Sequence, residues 1–131
     1  NAQACRSQLK LFRSKGMSIA LDDFGCGFSS ITHLLDLPMD ILKLDRVLID
    51  RIDTNQRNQA LTAGVIEMAH RLNMEVVAEG IERKAEYDMA VELGCDHLQG
   101  YYLGKPMPLN ELLEFYQAAT PAAHSSVAIG E

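Results

Sequence analysis

Asp22 and Asp23 stand side by side after the apolar run MSIAL. Two adjacent carboxylates repel each other unless a cation neutralises them, and hard divalent ions such as Mg²⁺, Mn²⁺ or Ca²⁺ take oxygen ligands. The pair reads either as metal ligands or as ordinary aspartates opening a turn. Three more short apolar runs also meet polar side chains: DILKLD carries Lys43 and Asp45, MEVVA precedes Glu79, and HL precedes Gln99. A lysine inside an apolar run is rarely buried without a partner. Lys43 and Asp45, two positions apart, would share one face of a strand. Lys43 is suited to orienting a water, neutralising a phosphate or forming a Schiff base, or simply to pairing with Asp45. Glu79 suits metal ligation or general-base work, with Glu82 in support, although an acid is also at home where a helix starts. Gln99 offers a neutral amide to a water or a ligand edge. Gly25-Cys26-Gly27 allows a close-approaching loop, but no Rossmann or Walker spacing accompanies it.

These residues meet only if the backbone brings them together. Parallel strands alternating with helices place all strand C-termini on one side of a sheet, where separate segments converge on a common rim. The sequence supports that pattern. An amphipathic helix spans about Ala2 to Ser14 and ends at Gly16. Met17 to Leu21 reads as a strand, Asp22 to Ser30 as a loop, and Ser29 or Ser30 as the cap of a short helix through Ile31, Leu34 and Leu35. Pro38 stops that helix before a strand over Met39 to Leu44 and a short helical turn over Arg46 to Ile52. The best helix covers Asn55 to Leu72, with Leu61, Val65, Met68, Ala69 and Leu72 on one stripe. Met74 to Ala78 is the third strand, Arg83 to Leu93 a helix closed by Gly94, His97 to Tyr102 the fourth strand, and Leu109 to Ala118 the last helix.

Composition narrows the function. The 131 residues are 47% hydrophobic, enough for one core, and carry a net charge of −6. Acidity of this degree argues against a nucleic-acid polymer as partner, while a cation can still mediate contact with a phosphorylated ligand. The three cysteines fall in no CxxC pattern and fit a reducing, cytoplasmic setting. His33, His70, His97 and His124 lack zinc-site spacing and read as structural or solvated. No apolar run is long enough for a signal peptide or a membrane anchor.

Taken in order, the segments IALDDFGCGFSSITHLLDLPMDILKLDRVLI, VVAEGIE and LGCDHLQGYYLGKPMP resemble the EAL domain, the bacterial cyclic di-GMP phosphodiesterase family. The resemblance runs from about Leu11 to Leu113. It implies a TIM-like barrel that hydrolyses cyclic di-GMP to linear pGpG with two Mg²⁺ or Mn²⁺ ions. It also implies metal ligation by Asp22 and Asp23, with Asp22 bridging, and contact of Lys43 with the nucleophilic water. Glu79 would be the metal-associated general base, with Asp45, Glu82, Gln99 and Pro106 as substrate-binding or supporting residues. The loop from Asp23 to Ser29 would be linked to dimerisation and metal occupancy. Cys26 replaces the usual threonine and Phe28 the common tyrosine. The Glu-Ala-Leu signature does not occur, and the upstream asparagine and glutamate ligands are missing with it.

The expected fold is therefore α/β: the C-terminal half of a TIM-like (β/α)8 barrel, which needs about 250 residues when complete, with four parallel strands alternating with helices. Residues 1–118 form this partial domain and 119–131 a disordered tail. The expected parent is a cytoplasmic phosphodiesterase, and the isolated chain is expected to be inactive. Two unpaired strand edges would favour a homodimer, or completion of the barrel by a missing or swapped segment. The alternatives are a degenerate EAL domain that senses cyclic di-GMP or mediates regulation or dimerisation without cutting it, and a Schiff-base lyase acting through Lys43.

Overall fold

The computed structural model describes residues 2–27, 30–118 and 127–128. In chain order these are α1 (Ala2–Ser14), β1 (Ala20–Phe24), α2 (Ser30–Asp36), β2 (Ile41–Leu44), α3 (Arg46–Ile49), α4 (Gln56–Arg71), β3 (Glu75–Ala78), α5 (Lys84–Leu93), β4 (His97–Gln99), α6 (Leu109–Ala118) and β5 (Val127–Ala128). The strands form one parallel sheet in the order β1-β2-β3-β4-β5. Each crossover from β1 to β4 passes through a helix, as parallel neighbours require.

Alternation along the strands separates the two faces. Leu42, Leu44, Val76, Ala78 and Leu98 are buried, and they cluster with Ile49, Ile52, Ile66, Ala69, Ile81 and Ala90 beneath the helices. Burying each large side chain of this set contributes roughly 1.5–3 kcal/mol. The intervening residues Ile41, Lys43, Val77, His97 and Gln99 are only half-buried, and Glu75 is exposed. One face thus carries the core, and the other carries the polar groups that the rim inherits.

Several boundaries differ from the sequence reading. β1 is displaced towards Phe24, so Asp22 and Asp23 lie in the strand and not in the following loop. On α4 the core-facing residues are Thr62, Ile66 and Ala69, whereas Leu61 and Leu72 are about half exposed. Of the expected stripe, Ala69 is buried and Val65 and Met68 pack against the core, while Leu61 and Leu72 turn outward and Thr62 and Ile66 take buried positions. Asn55 caps α4 through the Asn58 N–H, and Asn73 takes the left-handed position after it, with φ 58°. Of the tail, Val127–Ala128 form a strand on β4 against Leu98 and Gln99. There the backbone groups at the edge of β4 supply partners. Among the described residues the sheet keeps two outer edges, one on β1 and one on β5. Phe28, Ser29, His124 and the rest of the tail lie outside the described residues. Among the described residues no helix is long and apolar enough to cross a membrane.

Candidate active site

A bulge makes the aspartate pair possible. Leu21 is paired with Leu42 and Phe24 with Leu44, so three steps along β1 match two along β2. Strict alternation would send Leu21 and Phe24 to opposite faces. The extra residue returns both to the side carrying Leu42 and Leu44, and it leaves Asp22 and Asp23 exposed. Asp23 absorbs the irregularity with φ 57°, a conformation aspartate tolerates better than most residues, and its N–H donates to Asp22 Oδ1 at 2.8 Å.

The next strands add their own groups at the same level. Lys43 follows the fully buried Leu42, and its Nζ donates to Glu79 Oε1 at 2.7 Å and lies 3.8 Å from Asp22 Oδ1. Glu79 follows β3, and its N–H donates to Leu44 O at 3.2 Å, extending the ladder by one residue. Carboxylate oxygens of Asp22, Asp23 and Glu79 all lie within 4.8 Å of one another. Three carboxylates facing one ammonium leave the cluster formally at −2. The Lys43 pKa is raised: the hydrogen bond it donates to Glu79 outweighs the opposing effect of burial, and the charges of Glu79, Asp22 and Asp23 add to it. Lys43 therefore stays an ammonium at neutral pH. Oxygen donors at this spacing, with an uncompensated negative charge, fit a hard divalent cation.

The remaining predicted residues are placed around this cluster. Asp45 does not share a strand face with Lys43, because β2 ends at Leu44 and Asp45 caps α3 by accepting the Val47 N–H at 2.9 Å. Glu82 pairs with Arg46 at 3.3 Å. Gln99 is half-buried at the end of β4, and its carbonyl accepts the Ile81 N–H at 3.1 Å. Pro106 is exposed in the segment leading to α6. Lys43, Asp22, Asp23 and Glu79 are thus brought together. Asp45 and Glu82 support the adjoining segments, and no contact of Pro106 with the cluster is described.

Sequence reasoning missed Glu86 and Arg46. Glu86 is 1% exposed and accepts backbone N–H groups from Arg51, Glu82 and Arg83. Burial pushes its pKa up, but those three N–H groups and the Arg83 charge prevail and hold it below the usual glutamate range. A glutamate in the first turn of α5, three residues after its cap, is half of a capping-box signature. That signal was available, and Arg83 in the serine or threonine position obscured it. Arg46 packs over Gly80, where an added Cβ would lie 2.7 Å from Arg46 Cγ. Gly80 has φ 80°, which leaves that position to glycine on both counts.

The protein-family model described as EAL domain matches residues 1–106. The chain is 41% identical over 110 residues to the cyclic di-GMP phosphodiesterase NbdA of Pseudomonas aeruginosa, a match covering 84% of this chain and 14% of NbdA. It superposes on the crystal structure of the EAL domain of Mycobacterium smegmatis DcpA with a TM-score of 0.84 and 30% identity, covering 92% of this chain and 55% of that one. The PaMucR phosphodiesterase in complex with c-di-GMP gives a TM-score of 0.75 and 37% identity, covering 86% of this chain and 45% of that one. The chain therefore spans about half of these solved EAL structures and a small part of the curated relative.

Proposed function

This chain belongs to the EAL domain family, and from that premise we propose that it supplies the C-terminal half of a metal-dependent cyclic di-GMP phosphodiesterase site. The observation that carries the proposal is the convergence of Asp22, Asp23 and Glu79 within 4.8 Å, with Lys43 hydrogen-bonded to Glu79. Relatives named as cyclic di-GMP phosphodiesterases, and one solved with c-di-GMP, support the substrate.

In this reading Asp22, Asp23 and Glu79 would hold Mg²⁺ or Mn²⁺. Such ions, when bound, polarise a phosphoryl oxygen and lower the pKa of a water for in-line attack. Glu79 takes the proton from the attacking water. Lys43, kept cationic by Glu79, donates a hydrogen bond to that water and offsets negative charge developing on the phosphate. Gln99 and Glu82 hold the neighbouring backbone, and Asp45 fixes the start of α3, from which Arg46 reaches Glu82. The protonated state of Lys43 disfavours the Schiff-base alternative, because imine formation needs a neutral amine.

Three carboxylates are about half the protein ligands that a two-metal site needs. The isolated chain is therefore expected not to turn over, and completion by a complementary barrel segment or a partner copy is required. The test is chromatographic detection of pGpG from cyclic di-GMP with Mg²⁺ or Mn²⁺, for the chain alone and for the chain supplied with an N-terminal EAL half. Product should form only in the second case and disappear in Asp22→Asn and Glu79→Gln. Turnover by the chain alone refutes its inactivity. Metal-independent binding of cyclic di-GMP without product in the completed domain would favour the receptor function.

A further inference from the structure

Glu86 is the most deeply buried carboxylate among the described residues, and the proposed chemistry does not use it. Its two oxygens join two separate segments. Oε2 accepts the Arg51 N–H at 2.8 Å, in the connection between α3 and α4, where Arg51 has φ 53°. Oε1 accepts the Glu82 and Arg83 N–H groups, each at 3.1 Å, in the connection between β3 and α5. The Arg83 guanidinium also lies 3.3 Å from Oε2 and grips Asp53 at 2.6 Å, so the same two segments are joined a second time at the surface.

The segment held by Oε1 is the one that leaves the site. Glu79 begins it, Gly80 lies under Arg46, and Ile81 is fully buried, with its N–H given to Gln99 O and its carbonyl accepting the Tyr102 N–H. Glu82 and Arg83 end it on Glu86. The five residues Glu79 to Arg83 are thus fixed at both ends, by the β2 ladder at Glu79 and by the buried carboxylate at Glu82 and Arg83. A carboxylate accepting several backbone N–H groups makes strong, charge-assisted bonds and sets position more firmly than side-chain packing alone.

We propose that Glu86 is a positioning residue for the site: by clamping the segment Glu79–Arg83 to the α3–α4 connection, it sets where the Glu79 carboxylate stands relative to Asp22 and Asp23. The inference rests on the reading of those three acids as metal ligands. Residues one step behind a metal ligand typically change affinity by about 10–100-fold when replaced. Glu86→Gln is nearly isosteric, but it puts an NH₂ where one oxygen now accepts an N–H.

The test is a Mn²⁺ titration of the full chain, followed by the paramagnetic resonance of free Mn²⁺, together with backbone amide exchange by NMR. Asp22→Asn serves as the control for the metal site. Glu86→Gln should weaken Mn²⁺ binding about tenfold and speed exchange of the Glu79 and Glu82 amides relative to those within β2. A purely structural role would lower the unfolding midpoint but leave the Mn²⁺ affinity of the folded chain unchanged, and that result overturns the proposal. Should the unsubstituted chain show no Asp22-dependent Mn²⁺ binding, the metal reading fails. The exchange data then decide Glu86 alone, with an unchanged Glu79 amide counting against it. If Glu86→Gln does not fold, Glu86→Asp keeps the charge and shortens the reach, and wild-type affinity and exchange in that variant are equally fatal.

Discussion

Replacing Gly100 with alanine should be the most damaging single-methyl change near the site. A Cβ there would stand 2.1 Å from Ile81 O, 2.3 Å from Ile81 N and 2.7 Å from its carbonyl carbon. Ordinary carbon contacts need about 3.5 Å, so the backbones must separate by more than about 1 Å. That movement breaks the Ile81 N–H bond to Gln99 O at 3.1 Å and the Tyr102 N–H bond to Ile81 O at 3.0 Å. Two hydrogen bonds at about 1 kcal/mol each, with overpacking of about 1–3 kcal/mol, give a loss of roughly 3–5 kcal/mol. Gly16→Ala is the matched control. It also has positive φ, 83°, but nothing lies within 4 Å of its added Cβ, so it should cost only about 1–2 kcal/mol. Urea unfolding reads both. With a slope near 2 kcal/mol per molar, the Gly100→Ala midpoint should fall by about 2 M and that of Gly16→Ala by less than about 1 M. Equal shifts in the two variants would show that Ile81 yields easily, and the tight crossing would then explain nothing.

Lys43→Met removes the cation among three acids and should lower stability more at low than at high salt, by up to about 1 kcal/mol given the partial exposure of the pair, read from urea unfolding. Equal losses at both salt concentrations would contradict it. Leu42→Ala, at a position with no exposure, should cost about 2–5 kcal/mol in denaturant unfolding, and a loss well under 1 kcal/mol would mean the core relaxes freely. Burial, with Asp96 adding to it, pushes the Cys95 thiol up to about 12. Iodoacetamide at about pH 8 should therefore modify the exposed Cys5 and Cys26 and spare Cys95 in peptide mass spectra, whereas comparable labelling would refute its burial. Glu86 has a lower pKa folded than unfolded, so its contribution is complete above the ordinary glutamate value of 4.5 and is lost as pH falls through the native value. Urea midpoints between about pH 6 and about pH 3 should thus fall more for the unsubstituted chain than for Glu86→Gln.

The sequence disclosed what depends on local chemistry. The ends of α1 and α6, the left-handed Asn73 and the glycine closing α5 all follow from residues within one turn. It also located the acids and Lys43, because each interrupts or ends an apolar run. What stayed hidden depends on partners distant in the chain. The displacement of β1 follows from its pairing with β2, and the bulge that frees Asp22 and Asp23 together is invisible until Phe24 is matched with Leu44. On α4 the apolar spacing groups Leu61 and Leu72 with Val65, Met68 and Ala69, but both leucines are half exposed and the polar Thr62 is fully buried, which spacing of aliphatics cannot show. The strand end at Leu44 was legible, but the two-residue spacing of Asp45 from Lys43 suggested a shared face, whereas Asp45 lies just past the strand and caps α3. Glu86 went unremarked because the partner that buries it, the Arg51 N–H, is 35 positions away.

Lys43 also decides how the acidic cluster stands by itself. Its ammonium already sits against Glu79 and near Asp22, so the acids are kept in company even in ion-poor solution. Loading this rim is then a change of escort for groups already in formation, and dilution of the ion need not dismantle the scaffold that receives it.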